Sequence, residues 1–329
     1  MISGHVNFVF DESMDFIEKT LAVFRFQYAH NMVYKRYVDS LNCKPENIKN
    51  LSQIPFLPIS FFKTHQVTCT EFEAELLFES SGTTASVNSK HFVKDAALYQ
   101  KSFIRCFEQR YGPIDEYCIL GLLPSYLERQ NSSLVYMVKQ MMEMSSHPFN
   151  GFFITNHEEL KERLLQLQTS GQQTLLIGVT YALIDFATVN SIRLNNTIIM
   201  ETGGMKGRKK EMLRAEVHEI LKKSFAVQNI HSEYGMTELL SQAYSSANGI
   251  FQTPHWMKVL VREEDDPFSI TAETKTAVTG AINVIDLANI YSCSFIATED
   301  AGKLHADGSF EVLGRLDQSD IRGCSLMAI

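Results

Sequence analysis

The sequence predicts an α/β fold: a mainly parallel sheet with flanking helices, followed by a smaller β-rich part. Three observations carry this. Short apolar runs alternate with amphipathic helical stretches from "ELLFES" to "RAEVHEILKKSF", which is the pattern of βαβ units. After about Gly249 the texture turns to short strands and turns, as in "HWMKVLVREEDDP", "GAINVIDL" and "GSFEVLG", with few helical stretches. A length of 329 residues, with 45% hydrophobic and 21% charged, describes an ordinary globular protein able to bury a large core. The expected division is an α/β body with an N-terminal helical segment over 1–249, and a β-rich part over 250–329 that completes a ligand site.

Taken in order, the N-terminal stretch reads as helical, because Phe16, Leu21, Phe24, Tyr28, Met32, Val33 and Tyr37 recur at roughly helical spacing. "IPFLPISFF" places two prolines in an apolar run, which favours an extended segment. "ELLFES" reads as a strand and "DAALYQKSFIRCFEQRY" as an amphipathic helix. The strand "YCILGLL" leads to a helix across "SSLVYMVKQMMEM". "GFFIT" precedes the helical "HEELKERLLQLQ", and "QTLLIGV" precedes another short helix. "NTIIMETGG" comes before the helix "RKKEMLRAEVHEILKKSF". No internal repeat, low-complexity tract or long linker interrupts this order.

Charge and composition exclude several classes. A net charge of −8 gives no global positive field to draw in nucleic acid or an anionic membrane. The basic run "KGRKKEMLR" reads as the solvated start of a helix. "MISGHVNFVFDESMDF" has neither a basic start nor an apolar h-region, so no secretory signal is expected. No apolar stretch is long enough to span a bilayer. The six cysteines, at 43, 69, 106, 118, 293 and 324, show no metal-like spacing. Free thiols in a reducing cytoplasm are expected.

In open α/β sheets ligands bind beyond the carboxyl ends of strands. Four unusual stretches directly follow predicted strands: "SSGTT", "LPSYLERQNSS", "ETGGMKG" and "HSEYGMTE". Ser80-Ser81-Gly82-Thr83-Thr84 is either a solvated loop or a phosphate cradle, since small residues let successive N–H groups and hydroxyls converge on an anion. No Walker GxxxxGK[ST] string occurs, so a phosphate site here belongs to another architecture. Tyr234-Gly235-Met236-Thr237-Glu238 is either a turn into a helix, or an aromatic ring for a base, a hydroxyl for a phosphate and a carboxylate for Mg²⁺. Asp300, before Gly302, is either a turn residue or an acceptor for a ribose diol. Arg315, after Gly314, suits ribose or phosphate contact. His231 and Glu233 are further pocket candidates. Ser125, Glu128, Arg129, Ser132 and Ser133 either shape an acyl site or cap the next helix, and the Met-rich "MVKQMMEM" is either core or the flank of an acyl tunnel.

The order of these strings resembles the adenylate-forming superfamily of acyl-activating enzymes. The closer likeness is to the acyl-protein synthetases, the fatty-acid ligase component of fatty-acid reductase complexes. It rests on "FQYAHNMVYKRYVDSL", "IPFLPISFFKTHQV", "LPSYLERQNSSLVYMV", "TGGMKGR" and "GRLDQSDIRGCSLM". The resemblance implies the fold of the superfamily's N-terminal domain, with ATP and Mg²⁺ as cofactors. It implies that Ser80 to Thr84 cradle the phosphates, that Gly203 and Gly204 lie along adenine, and that Tyr234 stacks on the base, with Gly235 beside it in the nucleotide site. Thr237 and Glu238 then meet phosphate and metal, Asp300 and Arg315 grip the ribose, and Asp317 falls at a hinge. The implied reaction converts a carboxylic acid, fatty in this subgroup, to an acyl-adenylate and passes it to a thiol. Cys324 matches the acylated cysteine of the subgroup by position. A glycine precedes it and Arg322 favours a thiolate, although a small buried apolar residue has the same appearance.

Two departures accompany the resemblance. "ASVNSK" replaces the usual Gly-x-Pro-Lys after the threonines, which leaves Lys90 later than the family's lysine. The sequence runs only to Ile329, just past Gly314 and Arg315, so the superfamily's small mobile domain and its lysine are expected to be absent. Expected partners are an acyl reductase or an acyl carrier, with no nucleic acid and no membrane span. Two alternatives remain: an acyl- or aryl-CoA ligase, and a non-catalytic nucleotide-binding subunit of a reductase complex.

Overall fold

The computed structural model describes residues 5–80, 87–123, 131–154, 156–203 and 212–316. Three N-terminal helices open the chain: α1 (His5–Val9), α2 (Phe16–His30) and α3 (Met32–Ser40). Asp15 caps α2 by accepting from the N–H groups of Ile17 and Glu18. Asn31 ends α2 and caps α3, its side chain accepting from Tyr34 N at 2.9 Å. The polar faces of these helices are not all solvated. Gln27 Nε2 donates to the Asn289 carbonyl at 2.9 Å, and Asn31 Nδ2 donates to the Ser292 carbonyl at 2.9 Å.

The proline-rich run gives β1 (Leu57–Pro58) and a single turn, α4 (Phe61–Thr64). β2 (Leu76–Glu79) and β3 (Lys90–Val93) form an antiparallel pair in register Glu79 to Lys90. Only the first of these is legible as a strand, because "KHFV" lacks an apolar run. Its buried residues are His91 and Val93, at 1% and 3% exposure.

The α/β body follows. α5 (Ala96–Tyr111), β4 (Cys118–Leu122), α6 (Ser133–Ser145), β5 (Gly151–Phe152), α7 (His157–Ser170), β6 (Thr174–Val179), α8 (Thr180–Val189), β7 (Thr197–Thr202), α9 (Arg214–Phe225), β8 (His231–Tyr234) and β9 (Ala243–Ser245) alternate as expected. The sheet order is β5-β4-β6-β7-β8-β9, parallel except for β9. Every residue of β4 and β6 is buried, which explains why they read as continuous apolar runs rather than alternating ones. A methyl at Gly121 would lie 2.7 Å from the Phe152 ring, so the glycine allows β5 to close against β4.

The remaining strands are β10 (Ile250–Phe251), β11 (Met257–Arg262), β12 (Ile270–Thr271), β13 (Val278–Asp286), β14 (Phe295–Leu304) and β15 (Phe310–Arg315). They pair antiparallel in the order β10-β15-β14-β13-β11-β12. One edge of β14 is divided. Ile296 and Ala297 take β1 in parallel, and Asp300 to Leu304 take β15. No helix among the described residues is long and apolar enough to cross a membrane.

Candidate active site

The carboxyl ends of β7 and β8 lie side by side, with Thr202 opposite Glu233. Gly203 and Tyr234 follow at neighbouring strand ends. Gly203 has φ +66°, a conformation that favours glycine, and its carbonyl accepts from the Thr180 hydroxyl at 2.7 Å.

Tyr234 is the joint between the two sheets. Its ring is enclosed edge-on by Phe310 at 5.5 Å and Phe251 at 6.0 Å, and its hydroxyl donates to Asp300 Oδ2 at 2.9 Å. Asp300 faces Arg315 across the β14–β15 pair, with Oδ1 3.8 Å from Arg315 Nε. Burial raises the Asp300 carboxyl, and the Tyr234 hydroxyl and the Arg315 charge oppose that rise. The Arg315 side chain is 79% exposed, so its guanidinium is available to a ligand.

Glu238 is buried at 5% exposure. Burial raises its carboxyl, against the Ser89 hydroxyl and the charges of Arg315 and Lys63. Ser89 belongs to the base of the hydroxyl-rich loop: its N–H donates to Ser80 Oγ at 2.8 Å, and Ser80 N donates to its carbonyl at 3.1 Å. Glu238 therefore faces the residues that anchor Ser80. The neighbouring Thr237 is half-buried. Its carbonyl accepts from His91 Nδ1 at 2.9 Å, and His91 Nε2 is 2.9 Å from the Ser292 hydroxyl. Burial pushes His91 down to about 4, so the ring is neutral at physiological pH and Nε2 accepts.

The turn after Glu238 is anchored by Asp286. Its carboxylate, wholly buried, accepts from Leu240 N and Ser241 N at 2.9 Å, from Ser241 Oγ at 2.6 Å and from Ala288 N at 3.0 Å. Asn289 Nδ2 donates to the Glu238 carbonyl at 2.7 Å. These bonds fix where the Glu238 backbone stands against the β-rich sheet.

Two carboxyls on adjacent strands are driven in opposite directions. Glu233 is pushed up to about 7, chiefly by burial, with Glu201 adding to the rise and a hydrogen bond from Thr202 opposing it. Its carboxyl folds over Gly235, where a side chain would strike Glu233 Oε1. Burial would raise Glu201 too. There His218, Arg214 and the hydroxyls of Ser232 and Thr180 outweigh burial and hold the carboxyl below its ordinary value.

The structure thus brings together Ser80, Gly203, Tyr234, Gly235, Thr237, Glu238, Asp300 and Arg315. Ser81, Gly82, Thr83, Thr84, Gly204, Asp317 and Cys324 lie outside the described residues, as do Ser125, Glu128 and Arg129. Lys90 pairs with Glu79 at 3.7 Å on the outer face of the β2–β3 pair. Ser132 caps α6, and Met137, Met141 and Met142 are core. His231 is half-buried against Tyr111, with Nδ1 3.2 Å from the phenol oxygen. Sequence reasoning missed Ser89, His91, Glu201, Arg214 and Asp286. Glu201, Ser89 and Arg214 border strings singled out in the sequence, "ETGGMKG", "ASVNSK" and "KGRKKEMLR", but His91 and Asp286 stand in none with a chemical signature.

A family model described as acyl-protein synthetase, LuxE, matches residues 5–328. The chain belongs to this family. No curated protein sequence matches it. Among solved structures, a long-chain-fatty-acid–CoA ligase from Archaeoglobus fulgidus is similar with a TM-score of 0.52 at 14% identity, covering 73% of this chain and 51% of that one. O-succinylbenzoate coenzyme A synthetase from Bacillus subtilis, in complex with AMP, is similar at 0.50 and 16% identity, covering 86% and 55%. The chain therefore spans about half the length of these two structures. Its fold is that of the N-terminal domain of adenylate-forming enzymes.

Proposed function

We propose that this acyl-protein synthetase activates a carboxylic acid, of the fatty class, with ATP and then transfers the acyl group to a protein thiol. The observation that carries the reading is the closed set Tyr234–Asp300–Arg315 beside buried Glu238, within a chain of this family. Asp300 is positioned by Tyr234 to accept from a ribose diol, and exposed Arg315 supplies a cation to ribose or phosphate. Ser80 to Thr84 receive the phosphates.

Mg²⁺ fits the residues present. It is commonly held by one or two carboxylates plus phosphate oxygens, so the lack of a metal-ligating cluster among the described residues is no obstacle. Glu238, a buried carboxyl that burial disfavours as an anion, is stabilised by an added cation. Glu238 would hold the ion, with the Thr237 hydroxyl on phosphate, and the ion would neutralise charge on the phosphates.

In the first step a carboxylate oxygen bonds to the α-phosphorus of ATP and the α–β bridging P–O bond breaks, releasing pyrophosphate. The carboxylate is already a nucleophile, so positioning and charge stabilisation do the work and no general base is needed. In the second step a thiolate bonds to the acyl carbon and AMP leaves. The five described cysteines are free and each is raised by burial, Cys118 and Cys293 to about 12. They are poor thiolates, which supports Cys324 as the acceptor. An acyl reductase or acyl carrier is the partner that then receives the acyl group.

Exchange of labelled pyrophosphate into ATP with a panel of carboxylic acids tests the first step. No exchange with any acid, alone or with added reductase, defeats the enzymatic reading. Intact-protein mass after incubation with ATP and acid tests the second. An adduct that persists in Cys324→Ser removes that residue, and thioester formed only on added coenzyme A moves the acceptor to CoA.

A further inference from the structure

Arg214 connects three parts of the site without being one of its ligand-facing residues. Its Nε lies 3.2 Å from Oε1 of Glu201, a carboxylate only 5% exposed at the end of β7. Its Nη1 donates to the Val312 carbonyl at 3.1 Å, on β15 just before Arg315. Its guanidinium covers the Phe251 ring at 5.1 Å, and Phe251 packs on Tyr234. On the other side of the ion pair, the single proton of the Thr180 hydroxyl is shared between Glu201 Oε2 at 2.9 Å and the Gly203 carbonyl at 2.7 Å. Gly249 makes room for the arginine stem: a methyl there would lie 2.9 Å from Arg214 Cδ.

We infer that Glu201, Arg214 and Thr180 form a cross-brace that sets the spacing between Gly203 on the parallel sheet and Arg315 on the antiparallel sheet, making Arg214 a positioning residue for the nucleotide. The brace spans the two surfaces a nucleoside would touch, and the inference rests on the proposed ATP site. The chemistry favours an arginine. Two nitrogens of one planar group serve two acceptors on different sheets while the flat face lies on an aromatic ring, and a lysine ammonium offers no such fork. His218 Nε2, 3.6 Å from Glu201 Oε1, backs the carboxylate from α9. Without the brace, the two sheets still pack through Tyr234, Phe251 and Phe310, so the loss is one of register rather than of folding.

The test measures ATP binding directly, by titration calorimetry on the full chain, alongside pyrophosphate exchange. Thr180→Val removes the hydroxyl with little change in volume, and Arg214→Gln removes the fork. Both are expected to stay folded with a lowered thermal midpoint, because buried Glu201 loses a partner, and to weaken ATP binding about tenfold or more at temperatures well below that midpoint. The KM for ATP rises with the dissociation constant, and kcat changes little. Arg214→Lys recovers only part of the affinity. Folded variants that bind ATP as the wild type does would overturn the brace. A wild type that binds ATP but exchanges with no acid defeats the proposed reaction and leaves the brace to be judged by the dissociation constants. A wild type that binds no ATP overturns both.

Discussion

Replacing Glu233 by glutamine isolates one buried proton. The carboxyl is 8% exposed, pushed from an ordinary 4.5 to about 7 mainly by burial, with Glu201 on the neighbouring strand adding to the rise. Between these two values the native chain holds a proton that the unfolded chain has released. Stability from this group is therefore complete below pH 4.5 and is lost as pH rises toward 7. At about 1.4 kcal/mol per pH unit, the loss amounts to about 3 kcal/mol. Glutamine has nearly the same shape, keeps an oxygen for the Thr202 hydroxyl and has no proton to lose. Urea unfolding of both proteins from pH 4.5 to pH 8 should give curves that diverge by about 3 kcal/mol in favour of Glu233→Gln at the alkaline end. Titrations elsewhere cancel in the difference. Curves that stay parallel to within about 0.5 kcal/mol across the range would refute the reasoning, since Glu233 would then titrate alike in both states.

Glu238→Gln should reduce pyrophosphate exchange by about a hundredfold or more, while the thermal midpoint holds or rises, because the carboxylate removed is one that burial disfavours. Tyr234→Phe removes the donor to Asp300. A hydrogen bond to a charged group contributes about 1.5–3 kcal/mol, so the KM for ATP should rise at least tenfold, and the Asp300 carboxyl should shift further upward in the pH profile of ATP binding. Asp286→Ala leaves the buried donors of Leu240, Ser241 and Ala288 without their acceptor and should cost about 3–5 kcal/mol in urea unfolding.

The sheet strands were legible because burial on both faces writes itself as uninterrupted apolar runs, as in β4 and β6. The strings of the candidate site were legible because Tyr234, Glu238, Asp300 and Arg315 carry recognisable chemistry in a recognisable order. What holds them was not. His91, Asp286 and Glu201 are polar residues that a hydrophobic pattern assigns to the surface, yet each is buried. Their partners, Thr237, Ser241 and Arg214, lie on other elements. Such pairings follow from the register between distant strands, and no local spacing encodes them. The same reason hides the seat of β1 on β14 and the strand "KHFV", one of whose two buried members is a histidine.

The attachment of α2 to the far end of the chain has a consequence for biogenesis. Gln27 closes its hydrogen bond on Asn289, 262 residues later, and Asn31 closes its own on Ser292. At synthesis rates of about 5–20 residues per second, the nascent chain waits on the order of tens of seconds before those acceptors emerge from the ribosome. These helices are therefore made well before the surface that receives Gln27 and Asn31. Until then the Nδ2 and Nε2 amides of Asn31 and Gln27 lack these carbonyl partners, although the helices can already pack on each other and on the segment around Pro55 and Phe56.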